Sequence, residues 1–120
     1  MSMFVESAPA EAKSHALPPM GINPDTITFT GDSGGSYMST NMHVIHSDVV
    51  KGAGLMIGGP YAFDWIGTYE TDVPEDTLQN SFDLVDANWK AGLIDDPANL
   101  KGSVAMVISG SKDKSVSPYL

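Results

Sequence analysis

Between Thr26 and His46 the chain changes from one apolar rhythm to another across a five-residue hinge, Gly31-Asp32-Ser33-Gly34-Gly35. The run "TITFT", Thr26 to Thr30, is β-branched or aromatic at every position and predicts a strand. From Gly34 to His46, Tyr37, Met38, Met42 and Ile45 recur at helical spacing, which predicts a helix with its apolar face on a sheet. A reversal this tight leaves no space for side chains beside it, and glycine is the residue that tolerates such crowding. G-x-S-x-G between a strand and a helix is the pattern of a nucleophile elbow, in which a strained turn lifts one serine hydroxyl clear of the sheet. A plainer alternative keeps the turn and makes Ser33 only a helix-capping residue.

The rest of the chain extends the same alternation. Gly52 to Tyr61, "GAGLMIGGPY", is an apolar stretch closed by Gly-Gly-Pro and predicts a buried strand ending in a sharp turn. Asp72 with Glu75 has the spacing of a capping box, and Leu78, Phe82, Val85 and Trp89 then recur at four, three and four residues until Lys90 and Gly92 close the helix. Trp89 on this face is expected in the core. "SVAMVIS", Ser103 to Ser109, predicts a third buried strand followed by the loop "GSKDKSVSP". The order β-α-β-loop-α-β points to an α/β fold, a parallel sheet flanked by helices. Residues 1–20 are expected to form a flexible leader and 21–120 a single domain with one modest core.

Charge and cysteine content narrow the partners. Fifteen acidic against six basic residues give a formal charge of −9, which opposes nucleic acid and anionic membrane surfaces. The absence of cysteine removes disulfides, thiolate metal sites and a cysteine nucleophile. The first residues show neither a basic n-region nor an apolar run of signal length, so the expectation leans to the cytoplasm.

Parallel sheets carry ligands and catalytic groups beyond the carboxyl ends of their strands. Ser33, the Gly-Gly-Pro-Tyr turn and Asp113 all belong there. Ser33 Oγ would attack an ester carbonyl and the Gly34 N–H, at the positive end of the helix, would hold the oxyanion. Asp113, a few residues past the third strand, could orient a base, or it could be a solvated loop carboxylate between Lys112 and Lys114. Tyr61 and Trp65 follow the second strand's turn and are candidates for lining an acyl cleft, with packing as the alternative. The histidine is harder to find. His43 and His46 lie about 15 and 20 Å along the helix axis from Ser33, His15 lies in the leader, and none follows Asp113. His43 and His46, at i and i+3, could share a metal but lack a carboxylate on that face, and attack by a serine on an ester calls for no metal or cofactor.

The stretch "INPDTITFTGDSGGSYMSTNMHVIHSDVVKGAGLMIGGPY" resembles the polyhydroxybutyrate depolymerase-like esterases of the α/β-hydrolase fold, with their Pro…G-x-S-x-GG elbow, "HV…SD…GAG" segment and "GGPY" turn. "GLIDDPANLKGSVAMVISGSKDKSVSP" is similar to the family's "ID…NL" loop, following strand and acid loop. The resemblance covers about residues 18 to 118 and implies Ser33 as nucleophile, Asp113 as triad acid and a partial α/β-hydrolase fold. The family's histidine comes tens of residues after the acid, beyond Leu120. The family's cysteine after the aromatic pair is absent, with Ala62-Phe63 in its place, and Asp32 puts a charge beside the serine.

Two functions are compatible with these residues. One is a serine carboxylic-ester hydrolase acting on hydroxyalkanoate polyesters or short-chain esters, incomplete as this chain. The other is a non-catalytic, hydrolase-derived binding or assembly module. In either case a three-stranded parallel sheet leaves an edge for a partner chain or a second copy to cover.

Overall fold

A computed structural model describes residues 16–63, 73–118 and 120. Asp72, Trp65 and the first fifteen residues of the expected leader lie outside the described residues. Residues 16 to 23 are exposed and without regular structure. The elements are β1 (Thr28–Asp32), α1 (Gly34–Ile45), β2 (Gly52–Met56), α2 (Thr77–Lys90) and β3 (Val104–Ile108). Two single-turn 3-10 helices, Pro24–Thr26 and Pro97–Leu100, precede β1 and β3. Both begin the same way: proline occupies the first turn, where no N–H is needed, and the side chain of Asn23 or Asp96 accepts a bond from the backbone N–H two residues on.

The three strands form one parallel sheet in the order β1-β2-β3. Thr28, Gly52 and Val104 share the first rung and Asp32, Met56 and Ile108 the last, so all three strands end at one edge. The α/β class and the element order expected from the sequence are those observed, with boundaries moved by at most five residues. The second helix starts later than Glu75 would place it, at Thr77 with Asp76 as N-cap. It closes as expected, on Gly92 at φ 70°, whose N–H bonds to the Trp89 carbonyl.

Helix α1 lies across β1 and β2. Its buried face is not the Tyr37, Met38, Met42, Ile45 stripe expected from periodicity. Ser36 and Ser39 are the buried residues, Met38 is exposed, and the other three are half-buried. The reason is the closeness of the strand. A Cβ placed on Gly31 would stand 2.2 Å from the Gly35 backbone carbonyl and 2.8 Å from the Ser36 nitrogen. Only small side chains fit between layers this close, and Ser39 satisfies its buried hydroxyl on the Gly35 carbonyl at 2.8 Å.

Two expectations of burial are overturned. β3, expected as a buried strand, has every residue exposed, Val104 at 69%. The stripe of α2 is likewise in solvent, with Leu78 and Phe82 exposed and Trp89, expected in the core, 42% exposed. Helix α1 covers β1 and β2 alone, and α2 is held by the loop after β2. Ser81 Oγ donates to the Tyr61 carbonyl at 2.6 Å, and Asn88 Nδ2 to the Tyr61 hydroxyl at 2.9 Å. Among the described residues, Val50, Ala53, Tyr61 and Ile94 are the buried apolar ones, a small core. No helix among the described residues is long and apolar enough to cross a membrane.

The opposite edge, where the strands begin, is tied by a half-buried polar bridge. Ser103 Oγ donates its one proton to the Lys51 carbonyl at 3.0 Å, so His43 Nε2, 2.5 Å from the same oxygen, must be the donor to it. This links the second half of α1 to the starts of β2 and β3.

Two outcomes follow from this packing. Gly31→Ala drives a methyl into the α1 backbone, where nothing can yield, and should destabilise the chain by about 3 kcal/mol or more, read as a collapse of the urea midpoint. Burial lowers the pKa of His43 below the ordinary imidazole value. A base whose folded pKa is depressed binds its proton more readily when unfolded. Stability should therefore be full above about pH 6.5 and decline as the pH falls below it. Urea titrations across that window should show the decline in the native chain and lose it in His43→Gln.

Candidate active site

Ser33 sits between the last residue of β1 and the first of α1 at φ 51°, ψ −119°. A non-glycine residue in that region is strained by roughly 1–3 kcal/mol and persists only where its surroundings enforce it. Three bonds do so. The Ser33 N–H donates to the Met56 carbonyl at 2.9 Å, and its own carbonyl accepts from Ser36 N at 2.9 Å and Tyr37 N at 3.2 Å. The residue is thus held at once by the neighbouring strand and by the helix it starts. Its side chain is exposed, as is Gly34, whose N–H belongs to the first turn of α1.

The loop after β2, residues 57 to 63, is pressed onto the same helix turn. Ile57, at φ 54°, donates its N–H to the Ile108 carbonyl at 2.9 Å. A Cβ on Gly58 would fall 2.2 Å from Ser36 Oγ, so the loop touches α1 directly. That hydroxyl is wholly buried and without a hydrogen-bond partner among the described residues. Further along, the Tyr37 and Phe63 rings stack with centroids 6.0 Å apart, and Ala62, also at positive φ, donates to Asn41 Oδ1 at 3.0 Å. Burial raises the pKa of the Tyr37 phenol above its ordinary value.

Asp113 lies in the loop after β3, half-buried. Its Oδ1 accepts from Ser115 N at 2.7 Å and Val116 N at 3.1 Å, and these bonds hold the carboxyl below the usual aspartate range, ionised at neutral pH. The Ser33 and Asp113 loops leave the same edge of the sheet on either side of β2, two strand spacings or roughly 10 Å apart at their bases. The described histidines do not join them. His43 is committed to Ser103 at the other edge, His46 sits at the far end of α1, and His15 is outside the described residues. Tyr61 is buried, with 8% exposure, and holds α2. It also lines, with Ala62, Phe63, Asn80 and Leu84, a groove of about 240 Å³ between the loop and α2. Trp65 is outside the described residues.

Ile57, Ser36 and Asn41 were not singled out by the sequence. Ser36 was readable in principle as the small residue one turn after the elbow, on the side of Gly31. Ile57 was not, because β-branched residues avoid positive φ.

No protein-family model matches the chain, and no solved structure matches it. Among curated proteins, it is 27% identical over 125 residues to a polyhydroxybutyrate depolymerase of Talaromyces funiculosus, a match taking in 98% of this chain and 35% of that one. It is 31% identical over 111 residues to a poly(3-hydroxybutyrate) depolymerase of Delftia acidovorans, over 83% of this chain and 22% of that one. The chain therefore spans about a third or less of the length of the curated relatives it matches. It is a distant, partial relative of proteins bearing the depolymerase name.

If the backbone at Ser33 is strained by its surroundings, glycine, which adopts positive φ freely, should relieve it. Ser33→Gly is expected to raise unfolding free energy by about 1 kcal/mol in urea titration, against the loss that glycine causes at an ordinary position.

Proposed function

We propose that the chain carries the nucleophile and the acid of a serine carboxylic-ester hydrolase acting on hydroxyalkanoate polyesters or their short-chain esters. The observation that carries the assignment is the backbone of Ser33, a non-glycine residue at φ 51° on a strand-to-helix turn, exposed, with the ionised Asp113 in a loop on the same sheet edge. The distant similarity to two proteins named polyhydroxybutyrate depolymerases supports the substrate class.

Ser33 Oγ would add to the ester carbonyl, and the developing oxyanion would meet the Gly34 N–H at the amino end of α1, where the backbone amides concentrate positive charge. Collapse of the tetrahedral adduct would expel the alcohol and leave an acyl group on Ser33. Both transfers need a base that takes the serine proton and passes it to the leaving oxygen. Asp113, with Oδ1 engaged by its own loop, would orient that base through Oδ2. The base itself would be a histidine brought to this edge by polypeptide outside the described residues, either by further chain or by a partner. The exposure of β3 supports an arrangement in which another layer covers this side of the sheet.

The absence of a histidine from this edge among the described residues also favours a second function, a hydrolase-derived module that kept the half-sheet and binds without turnover. One experiment separates the two. A fluorophosphonate probe, with and without added imidazole to stand in for the histidine, should label Ser33 as located by peptide mass spectrometry. Imidazole should accelerate labelling by about 100-fold or more, Asp113→Ala should reduce that acceleration, and Ser33→Ala should label nowhere. No labelling of Ser33 with imidazole present would leave the non-catalytic module standing.

A further inference from the structure

The strand register places Ile57 between the two loops that carry the proposed chemistry. Asp32, Met56 and Ile108 form the last rung of the sheet. The backbone bonds continue one step further: Ser33 N donates to the Met56 carbonyl, and Ile57 N donates to the Ile108 carbonyl, each at 2.9 Å. Ile57 is therefore the central residue of the next row, with Ser33 on one side and the start of the Asp113 loop on the other.

Its conformation is costly. A β-branched side chain at φ 54° is a steric outlier, and a glycine would sit there without strain. Glycines follow immediately at 58 and 59, and Gly58 is pressed onto Ser36, so the loop cannot slide to let Ile57 relax. The core does not explain the side chain, since Ile57 is only half-buried. Its row neighbours are polar: Ser33 before it, Ser109 beyond it, with Asp32 at the end of β1. An apolar, branched, strained residue is thus held in the middle of an otherwise polar row, next to the serine.

We infer that Ile57 is a specificity-determining residue, meeting the acyl part of an ester held at Ser33 and limiting it to a short chain. The inference rests on Ser33 as the nucleophile. A short hydroxyalkanoyl unit presents a small alkyl branch beside its carbonyl, and a fixed sec-butyl group gives that branch an apolar contact while occupying the space a longer chain would need. The strain holds the group at one height on the edge, a positional requirement that a flexible apolar residue would not meet.

The test uses the full chain with imidazole present and a pair of fluorophosphonates, ethyl and octyl, whose labelling rates at Ser33 are measured by intact mass for the native chain, Ile57→Ala and Ile57→Gly. Both substitutions should raise the octyl-to-ethyl rate ratio by about tenfold, the scale on which apolar pockets discriminate by chain size. The melting temperature of Ile57→Gly should be no lower than that of the native chain, which separates the effect from unfolding. Labelling of all three at Ser33 with ratios equal within about twofold would overturn the role of Ile57 while leaving the nucleophile intact. Failure of the native chain to label with either probe would overturn both.

Discussion

The structure depends on the approach of β1 to the first turn of α1. Where a Cβ on Gly31 would be 2.2 Å from the Gly35 backbone, the two segments are in main-chain contact, and the chain must reverse between them in a single residue. That residue is Ser33, and its positive φ is a consequence of the contact. The same closeness selects serine at 36 and 39 for the buried face of the helix and pushes Met38 outward. Exposure of the Ser33 side chain then follows: a residue at the apex of so tight a reversal has no layer above it.

The second strand's loop is built on this foundation. Gly58 rests on Ser36, Gly59 on the Tyr37 ring, Phe63 stacks on that ring, and Asn41 receives the Ala62 N–H. One helix therefore sets the position of both the serine turn and the loop that flanks it. Movement of α1 would shift the two together, so their spacing is preserved even where the rest of the small core is thin. The buried hydroxyl of Ser36, unpartnered among the described residues, lies at this junction. Leaving such a group unpaired costs roughly 1–3 kcal/mol, and its presence fits a place where close backbone contact took precedence over polar satisfaction.

Element types and their order were legible in the sequence because each rests on a local pattern: β-branched runs for β1 and β3, helical spacing for α1 and α2, glycine at the reversals. The parallel sheet followed from the alternation. Burial was not legible. Periodicity in Leu78, Phe82, Val85 and Trp89 identifies an apolar stripe, yet says nothing about whether a second layer meets it, and here most of the stripe is in solvent. In α1 the apolar stripe and the buried face differ outright, because packing distance, invisible in composition, decided in favour of serine. The Ser33 turn and the Asp113 loop could be placed at one sheet edge from glycine context and strand order, whereas the positive φ of Ile57 could not be read, since β-branched residues avoid it.

Two features of the described residues meet at β3: the strand is uncovered, and neither His43 nor His46 reaches the loop that follows it. β1 and β2 are covered by α1, while β3 is exposed on both faces, and it is β3 that leads into the Asp113 loop. A strand added beside β3 in the parallel sense would end at the edge where Ser33 and Asp113 lie, and the loop after it would reach that edge next to Asp113. A strand added beside β1 would deliver its loop on the far side of Ser33, away from the carboxylate. His43 cannot substitute for either, because it is bound to Ser103 at the edge where the strands begin, and moving it would break the bridge between α1 and β3. A strand beside β3, with a layer over its faces, would thus cover the exposed Val104, Met106, Val107 and Ile108 and bring a base to the acid in one arrangement, whereas a strand beside β1 would do neither.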